Sequence, residues 1–345
     1  MESIPGNIQL LYADLLQTCL RHAAPSGRGL TFVKKEIDSK IHWYMQLTVG
    51  NRKTQHYLGP ESVKLHDKMS REKALWKDAE PDIQERQMLV SALVAGGAYT
   101  LSAGETRVLE ILERAGVFLA GGTLVGSQAF RIMGNILGVR WDSHAITTQD
   151  IDIADTNTLP VGLIDKNVDL QKALLESELG IFAIPALDRK SPSTSFKVRN
   201  EALQVDILTP LHGKTSSKPV YLSNLNTYAH PLRFLDYLLE DIQPAVAVTK
   251  AGILVNIPAP ARYAFHKLMT ASRRPSYWQT KSSKDISQAR QLFTALLDLR
   301  PGDITLAKDA INKQPDAFKK GVKDSWKKLG EDIQLRLKKE TGIRF

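Results

Sequence analysis

One cysteine, Cys19, is the whole thiol content of the 345 residues. A disulfide within the chain is therefore impossible, a cysteine-rich zinc site is excluded, and a reducing cytoplasm is the natural compartment. No apolar run approaches the roughly 20 residues that span a bilayer. The opening MESIPGNIQLLYADLL has no basic segment ahead of an apolar one, so neither a secretion signal nor a membrane partner is expected. No repeat of fixed period and no low-complexity linker interrupts the chain. The eight histidines show no metal-ligand spacing, and His266 is expected in an ordinary surface or core role. Aromatic residues make up 7% of the chain. Tyr277, Trp278 and Trp326 are thinly set among basic residues, a sparse version of the pattern that suits single-stranded nucleic acid.

What is present is a globular composition, 43% hydrophobic and 24% charged, on a chain long enough for two or three domains. The charge is unevenly placed. Residues 251–345 hold 19 Lys and Arg against 9 Asp and Glu, a net of +10, which leaves the first 250 residues near −1 against the whole-chain +9. Such an asymmetry points the C-terminal part at a polyanion, although lysine-rich helix faces that are merely solvated give the same count.

Read in order, Ile8, Leu11, Leu15 and Leu16 predict a helix over residues 5–22, ended by Pro25-Ser26-Gly27. Residues 30–58 turn β-like and predict a hairpin or small meander around Gly50-Asn51, decorated by Lys34, Lys35, Arg52 and Lys53. Two helices are expected next, over 60–79 and 81–101, the second with Met88, Leu89, Ala92 and Leu93 inward; a third runs over 104–114. A helix over 167–178 and a hairpin of 195–199 with 203–208 follow, and 255–260 is extended by its prolines as the hinge to the C-terminal helices. There Tyr263, Leu268 and Met269 are expected as core. Leu292, Leu296 and Leu299 predict one seam, and Phe318, Val322 and Trp326 another.

The informative stretch is Gly121 to Asp152. In TQDIDIA, Asp150 and Asp152 alternate with Ile151 and Ile153, so a strand sends both carboxylates to one face and both isoleucines to the core. Two carboxylates about 6 to 7 Å apart along a strand suit hard divalent cations. Upstream, Leu124-Val125-Gly126-Ser127 is a short apolar run that ends in Gly-Ser and opens a helical pattern, a place where backbone N–H groups attract an anion. Gly121 and Gly126 have Walker A spacing, but Ser127 and Gln128 stand where Lys and Ser/Thr are required, so a P-loop is rejected. In LQVDILTP, Asp206 is again a lone acid between β-branched residues.

A strand ending in Gly-Ser, a helix, a strand with Asp-x-Asp and a third acid on a later strand resembles the nucleotidyltransferase superfamily. That superfamily includes DNA polymerase β, CCA-adding enzymes and bacterial toxin or resistance nucleotidyltransferases. The resemblance covers roughly residues 116–208, with weaker similarity to 291. It departs in the 22 residues between Ser127 and Asp150, where 138–148 looks like an inserted loop, and Gly121-Gly122 competes with Gly126-Ser127 for the phosphates. The resemblance implies an α+β fold: a small mixed catalytic sheet flanked by helices, an N-terminal β-containing appendage and a helical C-terminal region. The corresponding divisions are 1–103, 104–257 and a basic 258–345. It further implies transfer of an NMP from an NTP such as ATP to an acceptor hydroxyl by two-metal catalysis. Asp150, Asp152 and Asp206 would be the catalytic and metal-binding acids for Mg²⁺ or Mn²⁺, with Gly126, Ser127, Lys267 and Lys284 on the nucleotide. Lys281 and Asp285 belong to the same stretch, and Lys197 or Arg199 could reach phosphate. The acceptor would be RNA such as tRNA, held by the basic C-terminal region. A small molecule of antibiotic type, a protein hydroxyl, or a non-catalytic binding module on the same fold are the alternatives.

Overall fold

Local sequence periodicity accounts for most elements of the fold. The computed structural model describes residues 1–345 other than 22–29, 38, 50–51, 143–149, 157–167, 187, 189 and 214–216; for 30, 47–49, 52–54, 56, 75, 76, 78–80 and 276 it describes the backbone alone. Strand β1 (Glu2–Ser3) precedes helix α1 (Gly6–Arg21). Strands β2 (Leu30–Ile37), β3 (Lys40–Val49) and β4 (Arg52–Pro60) form an antiparallel three-stranded sheet in the order β2-β3-β4. Lys34 and Lys35 are exposed on it. The Gly50-Asn51 turn, the Pro25-Ser26-Gly27 stop and the side chains of Arg52 and Lys53 lie outside the described residues.

Helix α2 (Val63–Ala95) is one element where two were predicted, and Pro81 lies inside it. A proline there removes a hydrogen bond and clashes with the preceding turn, at about 3 kcal/mol or more. Packing offsets it: Val90 and Leu93 close a small core with Tyr12, Leu15 and Cys19 of α1. The inward stripe is accordingly shifted, with Ile83, Val90 and Leu93 buried and Met88 69% exposed. Helix α3 (Ala103–Arg114) starts where Ser102 and Glu105 form a reciprocal capping box.

The next segment builds the main sheet. Strand β5 (Thr123–Val125) runs directly into α4 (Gly126–Leu137), then β6 (Val139–Arg140), β7 (Ile151–Ala154), α5 (Leu170–Leu175), β8 (Ile181–Ala183), β9 (Ser195–Val198) and β10 (Gln204–Pro210). The predicted 195–208 hairpin is β9 with β10, turned at Asn200, whose φ is +62°. Part of the 138–148 insertion and the start of the predicted 167–178 helix lie outside the described residues, and α5 is shorter than predicted. Strands β11 (Val220–Leu222) and β12 (Thr227–Leu232), helix α6 (Leu235–Leu239) and strand β13 (Ile242–Ala247) had no sequence reading. The sheet order is β11-β12-β10-β7-β5, with β9 also on β10 and β8 on β9. Its β7, β10 and β12 are parallel and β5 and β9 antiparallel.

Residues 255–258 are extended, not as a hinge but as part of β14 (Ile253–Pro258), a strand hydrogen-bonded to β13. Pro260 then occupies the first turn of α7 (Pro260–Arg273), where its missing N–H is no loss. A 3-10 turn, Ser276–Trp278, leads to α8 (Gln279–Leu299), α9 (Pro301–Asn312), α10 (Asp316–Trp326) and α11 (Glu331–Thr341). The second predicted seam, Phe318, Val322 and Trp326, is buried. In the first, Leu292 and Leu296 are buried but Leu299, at the helix end, is 49% exposed, and Phe293 and Leu297 are buried with the leucines. One apolar core runs from Val108 to Ile343 and joins the sheet to these helices. No described helix is long and apolar enough to cross a membrane.

Candidate active site

Strand register gathers the acids. Val125 of β5 stands opposite Asp152 of β7, and Asp152 stands beside Asp206 of β10 in the parallel pairing. Ile151, Ile153, Val205 and Ile207 are fully buried while Asp152 and Asp206 keep partial access, which is the alternation a half-covered strand imposes. Asp150 precedes β7 by one residue. Asp206 is oriented by its neighbours: Ser195 Oγ donates to its Oδ1 at 2.5 Å and Gln204 Nε2 at 2.7 Å.

The β5–α4 junction closes on the same point. Gly126 has a φ of +63°, and a Cβ there would lie 1.9 Å from Asp152 Oδ2, so both backbone conformation and space demand glycine. Helix α4 begins with no side-chain cap and no acid in its first turn, which leaves its leading N–H groups suited to an anion. Tyr263 of α7 fixes the junction by donating its hydroxyl to the Gly126 carbonyl at 2.7 Å. Burial pushes that phenol up to about 12, so it keeps its proton. Gly121 and Gly122 belong to a different arrangement. A Cβ on Gly122 would meet Val117 Cγ1 at 2.5 Å, and its carbonyl accepts from Asn256 Nδ2 at 3.0 Å, so this pair is committed to the packing of a turn.

The cations come from α7 and α8. Lys284 Nζ donates to Ser127 Oγ at 3.0 Å. Burial, then repulsion from Lys267, lowers its pKa to about 8, which leaves it largely protonated at neutral pH. Lys267 Nζ donates to Asp285 Oδ1 at 3.0 Å, and Arg274 Nε donates to the other oxygen at 2.5 Å. Burial opposes the charge on Lys267, but Tyr263 and the Asp285 carboxylate hold its pKa above the ordinary lysine value. Beside it, burial drives His266 down to about 3, so this histidine is neutral. Lys197 and Arg199 are exposed.

The acids repel one another. Burial first, then Asp206 and Asp150, raise Asp152 to about 6; Lys267 and Lys284 act against this. Asp150 is also raised, by burial and then Asp206, and lowered by Lys281 and Lys284. Among the described residues no three His, Cys, Asp or Glu are drawn together closely enough to hold a metal ion. The donor chemistry nevertheless fits one. Carboxylate oxygens on neighbouring strands are the ligands a hard divalent cation selects, and the raised proton affinity of Asp150 and Asp152 is the same deficit of positive charge that a cation relieves.

The predicted residues Asp150, Asp152, Asp206, Gly126, Ser127, Lys267 and Lys284 therefore lie within one electrostatically coupled cluster. Three parts were missed: the anchoring role of Tyr263, Arg274 on Asp285, and the Ser195 and Gln204 donors to Asp206. The i,i+4 pairing of Tyr263 with Lys267 on one helix face was the available signal for the first. A family model described as nucleotidyltransferase matches residues 104–312, more than half of the chain. No curated protein and no solved structure matches it.

Proposed function

The chain belongs to this nucleotidyltransferase family, and we propose that it transfers an NMP from an NTP to an acceptor hydroxyl. The observation that carries the reading is the contact of the α4 start with the acids: a glycine that admits Asp152, followed by a serine held by Lys284. In this reading the N–H groups of Gly126 and Ser127 grip the β and γ phosphates, while Lys284 and Lys267 neutralise their charge. The α-phosphorus then faces the acids for in-line attack. Asp150, Asp152 and Asp206 would hold Mg²⁺ or Mn²⁺, which when bound would lower the pKa of the attacking hydroxyl and steady the leaving pyrophosphate. Asp206, held by Ser195 and Gln204, takes the hydroxyl proton as the new oxygen–phosphorus bond forms and the bond to pyrophosphate breaks.

We assign residues 104–257 as the catalytic unit, 258–345 as the basic platform that also lends it Lys267 and Lys284, and 1–103 as the appended region. RNA, such as the end of a tRNA, is the acceptor class that the +10 charge of residues 251–345 favours. The test is incubation with each labelled NTP, Mg²⁺ and total cellular RNA. Label on RNA that Asp152→Asn abolishes is the expected result. Label on protein or on a small molecule instead moves the acceptor, and no label from any NTP overturns the transferase reading.

A further inference from the structure

The large rings of the helical region are nearly all inside: Tyr263, Phe265, Phe293, Phe318 and Trp326 are buried. Two are not. Tyr277 is 79% exposed and Trp278, next to it, is 43% exposed, at the turn that joins α7 to α8. They stand at the start of the helix whose Lys284 meets Ser127 of the proposed phosphate grip. Trp278, Lys281 and Lys284 follow one another at i, i+3 spacing up the first turns of α8, and Lys284 is the residue that reaches Ser127 Oγ at 3.0 Å. The six residues from Trp278 to Lys284 rise about 9 Å along the axis.

The cations of the site also hold the turn in shape. Lys281 Nζ sits 4.1 Å from the centre of the Trp278 ring, and the Arg274 guanidinium lies 5.9 Å from it while its Nε is fixed on the buried Asp285. Trp278 in turn meets Tyr277 edge-to-face at 6.0 Å. A buried ion pair, a cation on an indole and an indole against a phenol thus lead from the site to an exposed ring. An exposed aromatic ring beside a polyphosphate grip has the chemistry that receives a flat base by stacking.

We propose that Tyr277, backed by Trp278, is a shelf on which a nucleobase of the substrate stacks. The proposal rests on the nucleotidyltransferase reading of the neighbouring acids and deepens it by assigning the base-binding part of the site. The base belongs either to the incoming NTP or to the end of an RNA acceptor, and the same ring chemistry serves both.

The experiment uses the full chain and its variants Tyr277→Ala, Trp278→Ala and Tyr277→Phe. Calorimetry with Mg²⁺ measures binding of ATP, GTP, CTP, UTP and inorganic tripolyphosphate, and labelling of total cellular RNA is followed against RNA concentration. For a base on the NTP, Tyr277→Ala weakens at least one NTP by about 5- to 150-fold, the range for one stacked base, leaves tripolyphosphate unchanged, and Tyr277→Phe restores binding. For a base on the acceptor, NTP binding is unchanged while the RNA concentration for half-maximal labelling rises by a similar factor, again restored by phenylalanine. Either result supports the shelf. Equal losses for NTP and tripolyphosphate, or no change in any readout with the parent labelling RNA, overturn the shelf and leave the transferase reading standing. A parent that binds NTPs through Tyr277 but labels nothing keeps the shelf and overturns the transfer. A parent that binds neither NTP nor tripolyphosphate overturns both.

Discussion

In the folded protein Asp152 holds its proton to about pH 6, because burial and then the charges of Asp206 and Asp150 disfavour its ionised form. The unfolded chain releases the same proton near 3.8. The folded pKa is the higher one, so the associated stability is complete below about pH 4 and is lost as the pH rises through about 6. Asp152→Asn copies the protonated form. In EDTA at pH 7.5 it is expected to resist urea better than the parent, by at most about 3 kcal/mol, and to match it at pH 4. Equal midpoints at pH 7.5 would show that the carboxylate carries no such penalty. Gly126→Ala acts at the same contact from the other side. Its methyl would enter the space of Asp152 Oδ2, and its φ of +63° disfavours a Cβ by about 1–2 kcal/mol. Transfer is expected to fall by about 100-fold or more with far-UV circular dichroism retained, since an ångström of misplacement at a reacting centre has that effect. Turnover close to that of the parent would separate Gly126 from the phosphates.

At the scale of elements, the α7–α8 pair presents both lysines to the sheet, and Asp285, 1% exposed, ties the two helices together. An ion cluster of this kind adds little net stability over a well-packed apolar one, because desolvation offsets attraction. Removing one partner is different. Asp285→Asn leaves Lys267 and Arg274 without their counter-charge, and the stability from urea unfolding is expected to drop by about 3–5 kcal/mol. An unchanged midpoint would mean that solvent reaches both cations freely. The long α2 illustrates the opposite balance. Its Pro81 carries a local penalty, and packing of the following turns on α1 keeps the helix continuous.

For the whole molecule the governing quantity is the separation of charge, a near-neutral first 250 residues against a +10 remainder. If the C-terminal helices are the RNA platform, affinity for RNA falls by roughly 0.7 to 0.9 log units per log unit of salt for each phosphate neutralised. Lys320, Lys327 and Lys328 are exposed on and just after α10, while Lys319 is half-buried and lies 3.5 Å from Asp316. Replacing all four with Glu is expected to reduce RNA labelling and spare NTP binding, with Lys319 contributing least. Filter-binding titrations across a salt series check both points. Binding that is flat in salt would make these helices a solvated surface only.

Alternation of Asp with Ile, of Asp206 with Val205 and Ile207, and the Gly-Ser step into a helix are local patterns, and each fixes a side chain's face without reference to distant residues. Fold class, the acid-bearing strands, the 195–208 hairpin and the helical C-terminus were legible for that reason. Strand β12 was not, because the residues it buries, Thr227, Ala229 and Pro231, do not make an apolar alternation, and a proline that ordinarily ends a helix concealed the continuity of α2. Only the tertiary structure decided how the faces meet. Lys284 reaches Ser127 across 157 residues, Tyr263 reaches Gly126 across 137, and Asp206 pairs in register with Asp152. These contacts depend on how α7 and α8 pack against the sheet through a shared core, and periodicity along one segment carries no information about the partner that will cover it.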